Sequence, residues 1–272
     1  MHVHRALSIV LLAAATAACN DTTLAEKPEP PVAVITGAVS YAPLDEAFFD
    51  GSESTSQERT TIVAWEWAIV GRPNGSTSQI VPDPADPRRA SFFIDLAGDY
   101  VVALTVTDDR GMSGTTELPF SAVPWQKLHV SLVWNTPGTD LDLHLVSEGE
   151  GGAFWTEPYD CFFLNTNPDW GVAGERADDP SIDIDDVDGH GPENANLNQP
   201  LDGKRYHVYV HYYDDYGQGA STATVRIYLN GELRYEGIKV LDGTGAAWDV
   251  ATIDWPEGAV SDVGTSFAYT PN

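Results

Sequence analysis

From Val32 onward the chain is a succession of short β-rich segments broken by clusters of Gly, Pro, Asp and Ser, and nowhere does it carry a 3.6-residue hydrophobic period. Such a chain cannot bury one long stripe against a neighbour. It must pack strand faces, so the expected class is all-β, built as sandwiches. Residues 64–68 (AWEWA) and 100–106 (YVVALTV) alternate, and the second run ends at Asp108-Asp109-Arg110-Gly111, a turn signal. Trp65 and Trp67 read as one core residue and one covering the sheet.

A second series of strands starts near Trp125. Leu128, Val130, Leu132 and Trp134 share one face, and His129 and Ser131 the other. After a turn at Asn135-Thr136-Pro137-Gly138-Thr139, Asp140-Leu141-Asp142-Leu143-His144-Leu145 alternates cleanly. Its leucines face a core, which leaves Asp140, Asp142 and His144 together on the opposite face. Residues 206–213 (YHVYVHYY) and 223–229 (ATVRIYL) are further strands, Asn230-Gly231 is a hairpin turn, and 248–255 is expected to be the last strand.

Three groups of residues carry resemblances. Asp50-Gly51-Ser52-Glu53-Ser54, Val63-Ala64-Trp65-Glu66-Trp67, Ala97-Gly98-Asp99-Tyr100-Val101-Val102 and Leu104-Thr105-Val106-Thr107-Asp108 resemble the PKD domain. That resemblance implies an immunoglobulin-like sandwich used as a spacer or binding module, not a chemistry. Leu132-Val133-Trp134-Asn135-Thr136, Thr139-Asp140-Leu141-Asp142-Leu143-His144, Gly189-His190-Gly191-Pro192-Glu193-Asn194 and Tyr206-His207-Val208-Tyr209-Val210 look like the YfaP-type domain of unknown function. That family is a bacterial β-sandwich frequent in exported proteins.

The third group lies at the N-terminus, where Arg5 precedes a small and apolar run over 6–18, too short for a membrane-spanning helix but matching a secretory signal peptide. The run ends at Thr16-Ala17-Ala18-Cys19, which looks like the lipobox of bacterial lipoproteins, with Thr16 where leucine is usual. The resemblance implies acylation of Cys19 and anchoring in a lipid bilayer. Residues 20–31, rich in proline, read as a flexible tether.

The expected organisation is therefore a lipoprotein signal peptide at 1–18, a tether at 19–30, a PKD-like immunoglobulin-like sandwich at 31–123, a YfaP-type, jelly-roll-like sandwich with an acidic loop at 125–260, and a tail at 261–272. The expected location is the bacterial cell envelope, on its periplasmic or surface side. With Cys19 acylated, Cys161 has no intramolecular partner and reads as a buried structural thiol or a reactive one.

A net charge of −27 repels phosphate backbones and argues against nucleic acid. Residues 177–194 (ADDPSIDIDDVDGHGPEN) concentrate carboxylates without Lys or Arg. Two carboxylates about 6 Å apart repel by roughly 0.7 kcal/mol in water and by nearly 3 kcal/mol at an effective dielectric of about 20. A hard divalent cation would remove that repulsion, and calcium fits an oxygen-rich, flexible loop. The candidate ligands are Asp183, Asp185, Asp186, Asp188 and Glu193, with Asp140 and Asp142 closing the cage, about 7 Å apart on one strand face. The stretch is not an EF-hand: Asp186-Val187-Asp188-Gly189 matches only part of that loop.

Histidines offer a competing zinc or hydrolytic reading. His207 and His211 share a strand face but lie about 13 Å apart at strand spacing, too far to ligate one ion; His144 and His190 sit near the acidic elements. No Gly-x-Ser-x-Gly, His-Glu-x-x-His or phosphate-binding glycine loop occurs. The aromatics Trp155, Tyr159, Phe162, Phe163 and Trp170 in a long loop at 149–174 read as a satellite core in preference to a carbohydrate-stacking surface. The expected function is a non-enzymatic binding or structural module with a calcium-stabilised distal domain, contacting polysaccharide or protein. The alternative is a metal-dependent hydrolase of an envelope or extracellular polymer.

Overall fold

The computed structural model describes residues 27–149, 153–187 and 189–270. The leader at 1–18, Cys19, most of the tether and Asp188 lie outside the described residues. Within them the chain forms strands and turns and no helix, as the missing 3.6-residue period requires.

The first module contains β1 (Ser40–Tyr41), β2 (Glu46–Asp50), β3 (Ile62–Gly71), β4 (Ile80–Pro82), β5 (Arg89–Phe93), β6 (Gly98–Asp108) and β7 (Ser113–Ala122). They make a four-stranded sheet, β1-β7-β6-β3, facing a three-stranded one, β2-β5-β4. Strand β6 supplies the centre of the core: Tyr100, Val102, Leu104 and Val106 point inward and are fully buried among Phe49, Phe92 and Phe120. The two tryptophans of β3 differ from expectation. Spaced by two residues, they share a face, and both pack toward the core, Trp67 buried and Trp65 at its rim.

The second module begins with β8 (Leu128–Trp134) and β9 (Asp140–Ser147), followed by β10 (Asp160–Cys161), β11 (Pro180–Ile184) and β12 (Glu193–Leu197). It continues with β13 (Arg205–Asp214), β14 (Ser221–Leu229), β15 (Glu232–Leu241), β16 (Ala246–Asp254) and β17 (Ala259–Ala268). Two five-stranded sheets, β10-β9-β13-β16-β17 and β11-β12-β8-β14-β15, enclose a core that includes Leu141, Leu143, Leu145, Val208 and Val210. Asn230 and Gly231 both take positive φ, +52° and +80°, in the tight turn between β14 and β15.

Two boundaries differ from the sequence reading. The segment at 261–272 is not a plain tail, because β17 pairs with β16 along the sheet edge as far as Ala268. Most of its side chains are exposed, so it carries no alternation to read. The acidic stretch is not one loop either. Residues 180–184 pair with β12 as β11, which leaves the loop only the residues between β11 and β12. Strand β8 is buried on both faces, since the first module covers its outer side: Arg226 Nη2 and Tyr228 Oη of the adjacent β14 donate to the carbonyls of Asn74 and Ala97, at 2.9 and 3.2 Å.

Candidate metal centre

Strand β9 positions the first two acidic groups. Its leucines turn into the sandwich, so Asp140 and Asp142 point to the other side, yet they are only 5% and 2% exposed. Glu193 enters from the second sheet. It opens β12, and its Oε2 accepts a hydrogen bond from the backbone N–H of Leu143 at 2.6 Å, which closes the sandwich edge between β9 and β12. One oxygen from each of Asp140, Asp142 and Glu193 lies within 4.8 Å of the others.

Each of these carboxylates also has an oxygen with no hydrogen-bond partner: Asp140 Oδ1, Asp142 Oδ2 and Glu193 Oε1 are all buried and unsatisfied. Burial raises the carboxyl of Asp140 to about 8, reinforced by the negative charges of Asp142, Asp185, Asp214 and Asp186. Glu193 is pushed well above the usual carboxylate range, first by burial and then by Asp142, Asp185 and Asp140. Asp185 is raised by burial and by Asp142, partly offset by a hydrogen bond with Glu193. Such a set stays ionised only if a cation sits among the oxygens, and otherwise takes up protons.

The loop between β11 and β12 is held in place by Asp186, whose Oδ2 accepts from Gly191 N at 2.8 Å. Gly191 has φ +83°, and a Cβ there would stand 2.8 Å from the carbonyl oxygen of Leu132, so the backbone packs where only glycine fits. Asp183 is turned elsewhere. Strand β11 packs Ile182 on the core, and Asp183 bonds to Ser181 and to the Asn196 amide. Asp188 is outside the described residues. Of the expected ligands, the structure gathers Asp140, Asp142, Asp185 and Glu193, with Asp186 alongside.

The histidines divide three ways. His207 stands apart, 2.6 Å from Asp249 and 3.0 Å from Glu148. His190 borders the groove between the modules, next to Asn135 and Thr222. His144 and His211 are brought together with Asp142. The spacing of about 13 Å along one strand separates His207 from His211, but the partner of His211 lies on the neighbouring strand, at a register that alternation does not reveal.

Of the long-loop aromatics, Trp155, Phe162 and Phe163 pack on one another over this region, whereas Trp170 joins the main core, stacked on Tyr206. Phe162 and Trp170 are buried, and the indole of Trp170 donates to Pro158 O at 2.8 Å. Cys161 is fully buried, its thiol directed at Thr166 O and raised by burial, which makes it an inert packing group. A groove of about 600 Å³ lined by Phe48, Val81, Pro82 and Pro84 lies in the first module and shares no residue with the acidic cluster.

No family model and no curated protein matches the chain. Among solved structures it is similar to the PKD domain from KIAA 1837 protein, at 24% identity over 33% of this chain and 83% of that domain, with a TM-score of 0.27. It is also similar to the fibronectin(III)-like modules of Clostridium thermocellum CbhA, at 10% identity over 78% of this chain and 94% of that one, with a TM-score of 0.25. Neither likeness reaches a site, and the sandwich assignment rests on the strand pairing above.

Proposed function

We propose that the chain is a lipid-anchored protein of the bacterial envelope, held through acylated Cys19, whose distal sandwich is a non-enzymatic binding or structural module stabilised by calcium. The observation that carries the calcium reading is that Asp140, Asp142 and Glu193 bring one oxygen each within 4.8 Å of one another, and each has a buried oxygen without a hydrogen-bond partner. A hard cation with oxygen ligands supplies what those atoms lack, and Asp185 with loop carbonyls would complete a coordination number of about six to eight. Polysaccharide or protein is the class of partner such an anchored module would meet. The rival hydrolase would need its metal open to a cleft, whereas these carboxylates are almost fully buried.

Thermal unfolding of the full chain tests the calcium reading, compared in calcium, in magnesium and in chelator. At a hundred times its dissociation constant calcium contributes about 2.7 kcal/mol, or roughly 5–10 °C. Magnesium is expected to do less, since it demands tighter octahedral geometry. Glu193→Gln keeps an oxygen for Leu143 N but removes the charge, so it should stabilise the metal-free protein and abolish the calcium shift. Glu66→Gln, on the exposed face of β3, should leave it intact. Identical melting temperatures in calcium and chelator would sink the reading. The anchor is tested separately: a clickable palmitate analogue should label the wild type and not Cys19→Ser, and a freely soluble, unlabelled wild type would contradict it.

A further inference from the structure

We propose that Asp142, His144 and His211 form a second metal site, one that takes zinc or a similar imidazole-binding divalent ion. It adjoins the carboxylate cluster and shares with it Asp142, including the unpartnered Oδ2. The antiparallel register of β9 and β13 sets His211 opposite Asp142 and Tyr209 opposite His144, so the three ligands fall on one face of two adjacent strands. One ligand atom from each lies within 4.8 Å of the others. The residues are 2%, 0% and 1% exposed.

Hydrogen bonding decides which ring nitrogens are available. His144 Nδ1 lies 2.8 Å from Asp160 Oδ2, and His211 Nε2 lies 3.3 Å from the carbonyl oxygen of Tyr269. A carboxylate and a carbonyl accept only, so those nitrogens carry the hydrogens, and in a neutral imidazole the other nitrogen is a bare lone pair. These others are His144 Nε2 and His211 Nδ1. Neither has a hydrogen-bond partner, and neither does Asp142 Oδ2, 3.5 Å from His211 Nδ1. Three lone-pair atoms thus converge in a buried site with no protein donor between them, an arrangement that is costly unless a cation sits there.

The surroundings are those of a metal site as well. Metal-bound histidines characteristically donate their second N–H to a carboxylate or a backbone carbonyl, as both do here. Two imidazoles and one carboxylate select a borderline-soft ion over calcium or magnesium, and zinc with three protein ligands keeps its fourth position for water. Phe162 stacks on His144 at 4.9 Å and 12°, with Phe154 and Trp155 beside it. Asp160 also accepts from Trp155 N at 2.6 Å. The ion would therefore fasten the long loop and the segment after β17 onto the sheet, a stabilising role in a site shielded from bulk substrates.

The test uses the full chain stripped of metal, titrated with Zn²⁺ and, as a spectroscopic probe, with Co²⁺. One equivalent of zinc is expected to bind, and Co²⁺ to give the visible absorption of a four-coordinate nitrogen–oxygen site. His144→Phe keeps a ring on Phe162 but cannot ligate; it and His211→Ala should each weaken zinc by about tenfold or more, and Asp160→Asn by about 10–100-fold. Glu193→Gln should lose the calcium response and keep zinc, while His144→Phe should do the reverse, so the two sites fail separately. The proposal is overturned if the wild type binds neither ion stoichiometrically at neutral pH, the three atoms then being held by protons alone. Zinc binding that survives both histidine substitutions would overturn it equally.

Discussion

His129 shows what one buried side chain does to the pH dependence of the fold. It sits on the outer face of β8 under the first module, with Nδ1 donating to Asn196 Oδ1 at 2.6 Å and Nε2 left without a partner. Burial drives its pKa down to about 4, the Asn196 bond opposing only in part. In the unfolded chain the group titrates near 6.5. Between those values the unfolded state binds the extra proton, so stability falls as pH drops from about 6.5 toward 4, by a total of about 3 kcal/mol. His129→Gln preserves a donor to Asn196 and removes the titration. Urea unfolding at neutral pH and near pH 5 should show the wild type losing more stability than the variant. Parallel losses in the two proteins would mean that His129 is not buried in this way.

At the scale of the element, strands were legible and their partners were not. The alternation of 140–145 puts Asp140, Asp142 and His144 on the face opposite the leucines, and Leu141, Leu143 and Leu145 do enter the core. It says nothing of which strand lies alongside, so neither Glu193 reaching across from β12 nor His211 arriving on β13 could be read from it. A bulge between Ile182 and Ile184 further breaks the parity that would have related Asp183 to Asp185. Each module does carry one local anchor that a sequence can show. Tyr100, near the start of β6, donates to Leu96 O at 2.8 Å, and Tyr206, near the start of β13, accepts from Leu201 N at 2.8 Å. Both are tyrosine-corner arrangements typical of immunoglobulin-like sandwiches. Tyr206→Phe is expected to cost about 1–2 kcal/mol by leaving Leu201 N unpaired. Superimposable denaturation curves for wild type and variant would show that water replaces the phenol without loss.

At the scale of the molecule, the sequence separates two modules at residues 123–125, whereas the structure joins them through a face. The outer side of β8 and β14 is apolar or neutralised where it meets the first module: Val133, Thr224, Arg226 and Tyr228 are all buried. Gly75 packs so closely on Val133 that a Cβ there would stand 2.7 Å from its Cγ2. Arg226 is the polar centre of this contact. It is paired with Glu236 at 2.6 Å on its own module and donates to Asn74 O across the boundary. Such contacts tie the stability of one sandwich to the other, so metal bound in the distal module should also stabilise the proximal one. Arg226→Ala together with Tyr228→Phe removes both cross-boundary hydrogen bonds while sparing the cores. Calorimetry of the full chain should then resolve two transitions, only the distal one moving with calcium, where the wild type shows both moving together. A calcium shift confined to one transition already in the wild type would mean that the modules touch without sharing stability.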